Sequence, residues 1–233
     1  MSNKGQIIAI GGGGFGRTPD EPIIEQYIID QSSQSKPNIC FFPTASAESK
    51  DYINNYYKAF SKLNCNPNHI SLFSRTPDLE SEIEKSDIIY IGGGNTKSML
   101  AVFKEWNIVK LLETAYRSGK ILAGVSAGAI CWFNKGVTDS WANELKIIDC
   151  LNFLPDCCCP HYDGEIDRKP SVMNFVRSGK INSCLAIEDG SALHYDGEKL
   201  KTAVSFYEGA KAYKVFKKND TISEIPIDSI KIN

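Results

Sequence analysis

The chain has 233 residues, of which 42% are apolar and 23% charged, and its formal net charge is −2. This composition is ordinary for a globular domain with a core of normal size. No basic tract indicates a nucleic-acid or membrane partner. No apolar run approaches the roughly 18 residues that span a bilayer, and the first residues lack the pattern of a signal peptide. We therefore expect one domain, residues 1–233, in the cytoplasm.

Eight cysteines are present, and no pair has the Cys-x-x-Cys spacing of many metal and redox sites. Three of them are adjacent, at residues 157–159, and could not all reach one ion without unusual backbone. Reduced thiols packed as small apolar groups are the expectation in the cytosol. The prediction is that the protein has neither a metal nor a cofactor.

Apolar strands and helices alternate along the first half of the chain. The predicted strands are residues 6–10, 38–42, 69–73, 87–91 and 121–125. The predicted helices are residues 22–32, 50–63, 79–85, 97–103 and 108–117. This alternation predicts an α/β fold with a mostly parallel sheet covered on both faces. Ligands bind such sheets at the carboxyl ends of the strands, where both glycine clusters (residues 11–14 and 92–94) fall.

After about residue 183 the pattern changes to short strands joined by tight turns. The predicted strands are residues 184–188, 192–195, 199–206 and 210–217, with a hairpin signal at residues 195–198. No linker or internal repeat separates this part from the rest. We therefore expect an antiparallel C-terminal extension of the same domain.

The sequence Gly-Val-Ser-Ala-Gly at residues 124–128 follows the fifth predicted strand. Small residues around Ser126 allow the sharp strand-to-helix turn that exposes a nucleophilic serine above a sheet. Residues 130–133 are predicted to continue as the following helix. Ser126 is therefore the candidate nucleophile.

A serine hydroxyl needs a neighbouring base, and the chain has three histidines. His69 and His194 fall in predicted strands, where a structural role is the more common one. His161 lies in a loop downstream of the serine, between Pro160 and Tyr162. It is the candidate base.

Taken together, the serine turn, Pro160-His161 and the Gly-Gly-Gly-Asn-Thr sequence at residues 92–96 resemble the peptidase E family, which includes α-aspartyl dipeptidases and is related to cyanophycinases. The resemblance covers about residues 5–215. It implies a three-layer α/β sandwich like that of class I glutamine amidotransferases, with a serine in place of their cysteine. It also implies a serine dipeptidase that acts on small peptides, with dipeptides that begin with aspartate as the expected substrates. We expect a monomer or homodimer.

The resemblance implies a role for each matched position. Ser126 would attack the peptide carbonyl, and His161 would act as general base and then general acid. The Gly94 and Ala127 amides would form the oxyanion hole, and Asn95 would contact substrate. A glycine-rich turn suits that task because no Cβ obstructs close approach.

The carboxylate behind the histidine stays open between two regions. Peptidase E places an aspartate shortly after the elbow helix, which Asp139 matches with a shorter spacer. Relatives place it in a later strand–turn, where Glu188 and Asp189 stand. Any of these could orient the imidazole and stabilise its cation.

A preference for an N-terminal aspartate requires a cation. In the family, an arginine downstream of the histidine binds this substrate carboxylate. Arg168 matches that arginine, with spacing altered by about one residue. A guanidinium there could bind a carboxylate through two hydrogen bonds.

Three other interpretations compete with a peptidase. Residues 11–16 match the dinucleotide fingerprint Gly-x-Gly-x-x-Gly, with Asp30 at about the spacing of its acidic residue, although Asp30 falls in a predicted helix. An α/β-hydrolase esterase has a compatible residue order, but its histidine usually lies near the C-terminus. A non-catalytic binding protein of this fold is the third.

Overall fold

The computed structural model describes residues 5–142 and 144–232. Its strands are β1 (Gln6–Ile10), β2 (Asn38–Phe42), β3 (Asn66–His69), β4 (Ile88–Ile91), β5 (Ile121–Val125), β6 (Phe133–Thr138), β7 (Lys146–Asp149), β8 (Leu154–Cys159), β9 (Ser183–Ile187), β10 (Ser191–Asp196), β11 (Lys199–Ser205), β12 (Ala212–Lys218), β13 (Thr221–Pro226) and β14 (Ser229–Lys231). Its α-helices are α1 (Ile23–Ile29), α2 (Lys50–Phe60), α3 (Leu79–Lys85), α4 (Thr96–Glu105), α5 (Ile108–Arg117), α6 (Ala127–Ile130) and α7 (Arg168–Arg177). Residues 1–4, for which the sequence predicts no signal peptide, lie outside the described part. In the described ranges no helix is long and apolar enough to cross a membrane.

The main sheet has eight strands in the order β14-β11-β10-β1-β5-β4-β2-β3. Five neighbouring strands, from β1 to β3 in this order, run parallel. The C-terminal strand β10 joins them antiparallel to β1, and β11 pairs antiparallel with β10. β1, β4 and β5 are almost entirely buried, as central strands covered on both faces must be. The predicted mostly parallel sheet is confirmed.

A second sheet has six strands in the order β13-β12-β9-β8-β6-β7. Its middle strands β6, β8 and β9 are parallel, whereas β7, β12 and β13 pair antiparallel. The C-terminal strands are therefore divided between the sheets, with β10 and β11 in the first and β9 and β12 in the second. The sequence analysis did not predict this second sheet.

Three clusters of buried side chains give the fold its layers. One face of the main sheet packs on α1 and α2. The other face packs on α3, α4 and α5 and on the inner face of the second sheet. The outer face of the second sheet packs on α7. The two sheets meet at the carboxyl ends of β1, β5, β8 and β9, where residues 12 and 189 form a parallel bridge between the loops.

The third strand and the elbow helix are among the elements that differ from the predicted ones. The third strand is Asn66–His69 and not residues 69–73, because it pairs in register with β2 from Asn38 onward. The elbow helix ends at Ile130 and does not continue through residue 133. Leu154 N donates to the carbonyl of Trp132 at 2.9 Å, so the chain is already turning into the second sheet there.

Candidate active site

Ser126 occupies a sharp turn between β5 and α6. Its φ is 55° and its ψ is −112°, a conformation that non-glycine residues seldom adopt. Its amide donates to the carbonyl of Ile10 at 3.0 Å, which fixes the turn to the end of β1. Backbone strain of this kind persists where the surrounding structure enforces it, often at functional sites.

The glycines on either side of Ser126 are required by close backbone contacts. A Cβ on Gly124 would lie 2.2 Å from the carbonyl oxygen of Gly128. A Cβ on Gly128 would lie 2.0 Å from the carbonyl oxygen of Ile91. Neither position accommodates a side chain, and this explains the Gly-x-Ser-x-Gly spacing physically.

His161 reaches Ser126 from the second sheet. It follows β8, and its Nε2 lies 2.8 Å from Ser126 Oγ. Its backbone is left-handed, with a φ of 50°, and its amide donates to the carbonyl of Gly11 at 3.2 Å. The imidazole is 13% exposed, so one ring nitrogen is held against the serine while the site stays open.

Asp189 lies on the other side of the imidazole. Its Oδ1 is 2.6 Å from His161 Nδ1, and its Oδ2 accepts a hydrogen bond from Arg17. Its backbone amide donates to Asp163 Oδ1 at 2.9 Å. Burial raises the pKa of Asp189, but hydrogen bonds and charge from His161 and Arg17 outweigh it and hold the pKa below its ordinary value. The carboxylate is therefore ionised at neutral pH.

The other two predicted carboxylates lie elsewhere. Asp139 is 62% exposed and approaches Arg168 Nη2 at 3.6 Å. Glu188 accepts a hydrogen bond from the Lys211 amide at 2.8 Å. Of the three, the structure places Asp189 in contact with the histidine.

The glycine turn after β4 lies against Ser126. A Cβ on Gly93 would be 3.3 Å from the Cβ of Ser126. Gly94 has a φ of 136°, and a Cβ there would be 2.2 Å from the carbonyl oxygen of Ala45. Within the described residues, the amides of Gly94 and Ala127 donate to no protein acceptor. Both are available to a substrate oxygen.

Two residues expected to bind substrate are engaged in the protein itself. Asn95 Oδ1 caps α4 by accepting from Ser98 N at 2.9 Å, and its Nδ2 donates to the carbonyl of Ser140 at 3.3 Å. Arg168 is 1% exposed, and its Nε donates to Glu165 at 2.6 Å. The binding of a substrate carboxylate by Arg168 stays a prediction; in the structure its head group is buried and paired with Glu165.

The remaining histidines have structural partners. His194 is buried, with Nδ1 2.7 Å from Tyr27 Oη and Nε2 2.7 Å from Gln6 Oε1. His69 Nδ1 lies 2.7 Å from Tyr57 Oη. Of the three histidines, the one in contact with Ser126 is His161.

The glycine turn after β1 supports the same site and does not have the setting of a dinucleotide fingerprint. A Cβ on Gly12 would lie 1.9 Å from Asp189 Oδ1 and 2.6 Å from His161 Nδ1. Asp30 follows helix α1 and does not end a second strand, as the fingerprint requires. The turn therefore serves the histidine–aspartate pair.

Sequence reasoning missed Arg17. It lies just after the first glycine turn and pairs with Asp189, 172 residues further along the chain. Its side chain is 58% exposed, so the ion pair forms at the mouth of the site. The local sequence shows that Arg17 follows the glycine turn, but it does not indicate that Arg17 pairs with Asp189.

Glu25 is buried beneath the first glycine turn. It has no exposed surface, and its Oε1 accepts from the amide of Phe15 at 2.7 Å. Its Oε2 has no hydrogen-bond partner among the described residues. Burial raises its pKa to about 7, against an ordinary 4.5, although the hydrogen bond from Phe15 opposes the rise.

This raised pKa predicts a loss of stability with rising pH. The folded state favours protonated Glu25, so its contribution is full below pH 4.5 and is lost as the pH rises to about 7. The free energy of unfolding that is lost over this pH range is about 3 kcal/mol. Replacing Glu25 by Gln keeps an acceptor for Phe15 and removes the titration. We expect the variant to be more stable than the wild type at pH 8 by a few kcal/mol, and the two to be similar at pH 4.5, in urea unfolding.

The matched control is Glu21→Gln, an exposed glutamate four residues earlier. It should leave the pH dependence of unfolding unchanged. If the free energy of unfolding depends on pH equally in the wild type and in Glu25→Gln, the prediction is contradicted. Such a result would show that Glu25 ionises as easily in the folded protein as in the unfolded one.

An α/β fold that brings a strained serine, a histidine and a carboxylate into one hydrogen-bonded line defines the class of hydrolases with a serine nucleophile. The sequence profile of peptidase family S51 matches residues 7–203. The chain belongs to this family and is a serine peptidase.

Proteins similar to this chain agree with its assignment to the family. Uncharacterized peptidase YgaJ of Bacillus subtilis (strain 168) is 47% identical over 223 residues, which are 95% of this chain and 96% of that one. Peptidase E of Pasteurella multocida (strain Pm70) is 25% identical over 226 residues, or 90% and 89% of the two chains. The crystal structure of a peptidase from an acI-B1 Actinobacterium superposes with a TM-score of 0.70 at 16% identity, covering 98% and 96%. That likeness shows the shared fold.

Proposed function

We propose that this protein hydrolyses small peptides, with dipeptides as the substrate class, through an acyl-enzyme on Ser126. The observation that carries the proposal is the hydrogen-bonded line from Ser126 Oγ through His161 to Asp189, with distances of 2.8 and 2.6 Å. Such a line activates a hydroxyl, because the base that removes its proton is held in place by a carboxylate.

The geometry supports a definite division of roles. With Asp189 accepting from Nδ1–H, the neutral imidazole presents an unprotonated Nε2 to the hydroxyl of Ser126. His161 takes the hydroxyl proton as Oγ attacks the carbonyl, and then gives it to the leaving amine. Water repeats the steps on the acyl-enzyme and releases the acid. The amides of Gly94 and Ala127 would stabilise the oxyanion in both halves.

We infer that Asp189 is the third member of the triad in place of Asp139 or Glu188. Asp189 contacts the imidazole, and Arg17 keeps its second oxygen occupied, which restricts rotation of the carboxylate. Asp139 points to a different partner, Arg168, and is mostly in solvent. Its charge is too screened there to stabilise an imidazolium strongly.

The free thiols support a reducing compartment. All eight cysteines are unpaired, and seven of them are buried. Buried reduced thiols are usual for proteins of the cytoplasm, where disulfides are rare. We therefore place the enzyme in the cytoplasm.

A panel of X-Leu dipeptides tests the substrate class. We expect turnover, with Asp-Leu within about tenfold of Ala-Leu in kcat/KM, because Arg168 is committed to Glu165 and does not meet a substrate carboxylate. A charge-assisted pair is worth about 1.5–3 kcal/mol, which corresponds to a preference of roughly tenfold to 150-fold.

The panel has two informative failures. A preference for Asp-Leu of about 100-fold or more would contradict our placement of Arg168 and require that its guanidinium turn outward. Turnover of p-nitrophenyl esters without turnover of any dipeptide would favour an esterase. Arg168→Lys is the matched variant, because lysine keeps the positive charge but cannot form the paired hydrogen bonds of a guanidinium with a carboxylate.

A further inference from the structure

Tyr52 separates the two glycine-rich turns of the site. It lies on α2, and its ring edges face both turns. A Cβ on Gly16 would lie 2.9 Å from Tyr52 Cε2, and a Cβ on Gly92 would lie 2.9 Å from Cε1. The ring therefore fills space that only glycines leave open. One turn supports His161 and Asp189, whereas the other lies against Ser126.

The hydroxyl of Tyr52 holds the second turn by a direct hydrogen bond. The amide of Gly93 donates to Tyr52 Oη at 3.2 Å. Gly93 is the residue whose Cβ, if present, would be 3.9 Å from Ser126 Oγ. The next amide along the chain is that of Gly94. This hydrogen bond fixes the peptide unit between Gly92 and Gly93. The amide of Asn95 donates to the carbonyl of Ala45 at 2.8 Å, which fixes the unit between Gly94 and Asn95. The peptide unit that carries the Gly94 amide is therefore held at both of its ends.

We propose that Tyr52 is a positioning residue that orients the Gly94 amide toward the reacting carbonyl by fixing Gly93. This inference rests on the proposed function, since it assigns the Gly94 amide to the oxyanion. A donor stabilises the developing charge only if it is preorganised, because reorienting it during the reaction costs energy.

The surroundings make Tyr52 suitable for this task. Its ring stacks on Phe15 at 4.9 Å and meets Phe41 edge-on at 5.4 Å, so it cannot swing away from the turn. Helix α2 begins with a capped turn, in which Ser49 Oγ accepts from the amide of Tyr52 itself at 3.5 Å. Burial raises the pKa of Tyr52 to about 12, so the hydroxyl stays protonated over the working range of a peptidase.

The test is Tyr52→Phe, which removes the hydroxyl and keeps the ring. We expect kcat for a dipeptide to fall about tenfold or more with KM changed by less than about twofold, since losing an oxyanion donor entirely costs about 10²–10³. The rate at which a fluorophosphonate labels Ser126 should fall by a similar factor, because its phosphoryl oxygen occupies the same hole. If Tyr52 only stabilised the fold, Tyr52→Phe would lower the unfolding midpoint and leave both kcat and KM at their wild-type values.

Tyr56→Phe is the matched control. Tyr56 lies on the same helix and donates to the carbonyl of Ile39 at 3.1 Å, away from Ser126. This control should keep wild-type kcat and labelling rate. Unchanged kcat and labelling in Tyr52→Phe would overturn the inference alone, provided that the wild type turns over peptide. If the wild type is labelled but hydrolyses no dipeptide, the substrate class fails and the labelling rate still decides the role of Tyr52. If the wild type neither turns over nor is labelled, both proposals fail.

Discussion

Replacing Ser126 by Ala is expected to lower kcat for dipeptide hydrolysis by about 10⁶-fold. The variant loses the oxygen that forms the acyl-enzyme, and His161 then has no hydroxyl to activate. Binding and the amide donors of the oxyanion hole remain, so KM should change little. The measurement is release of free leucine from a turned-over X-Leu dipeptide, followed to long times to quantify the residual rate.

The control for this prediction is Ser118→Ala, which removes a hydroxyl that donates to the carbonyl of Ala115 at 2.8 Å. Ser118 precedes the amino end of β5, whereas Ser126 follows its carboxyl end. It should keep full activity. Both variants should unfold at nearly the wild-type urea concentration, because alanine fits both backbones. Peptide hydrolysis by Ser126→Ala within tenfold of the wild type would contradict the nucleophile assignment.

Replacing Asp189 by Asn is expected to lower kcat by about 10⁴-fold. The amide has nearly the shape of the carboxylate, but it cannot stabilise the imidazolium, and its NH₂ group favours the wrong tautomer of His161. Asp139→Asn is the matched variant, since it makes the same change at the other candidate and should cost less than about threefold, as expected for a mostly exposed carboxylate. Both are measured as kcat on the same dipeptide.

The two aspartates make this comparison decisive. A larger loss in Asp139→Asn than in Asp189→Asn would show that the working enzyme uses a different carboxylate from the one that contacts His161. Loss of Asp189 also leaves Arg17 unpaired at the mouth of the site. Comparing the unfolding midpoints of the two variants separates this effect on stability from the effect on kcat.

The main sheet and the sharp turn that carries Ser126 could be predicted because their signals are local. β2 and β5 have the bounds that were predicted from their apolar runs. The Gly-x-Ser-x-Gly spacing reflects contacts of Gly124 and Gly128 with neighbouring backbone, so it is visible in five residues. His161 followed by elimination among three histidines.

The second sheet and the carboxylate that contacts His161 could not be predicted in the same way. β6 and β8 hold few strongly apolar residues and pair across about twenty residues, so neither gives a clear periodic pattern. The contact of Asp189 with His161 depends on the pairing of β8 with β9, a long-range feature. Asp139 and Asp189 therefore looked equivalent along the chain, although only the second reaches the imidazole.

The burial of Arg168 could not be predicted for a related reason. A helix-start arginine normally lies in solvent, and nothing in the sequence around it indicates burial. Its Nη1 donates to the carbonyl of Val137 at 3.0 Å, a partner contributed by β6 in the unpredicted sheet. The residue stabilises the junction of α7 with that sheet, and its side chain is 1% exposed there.

Intact-protein mass after treatment with a fluorophosphonate tests whether hydrolysis proceeds through Ser126. We expect the wild type to gain one label, peptide mapping to place that label on Ser126, and dipeptide turnover to be lost in step with labelling. Ser126→Ala should gain none. Full loss of turnover with the label on another residue, or continued turnover by fully labelled protein, would contradict a peptidase that works through Ser126.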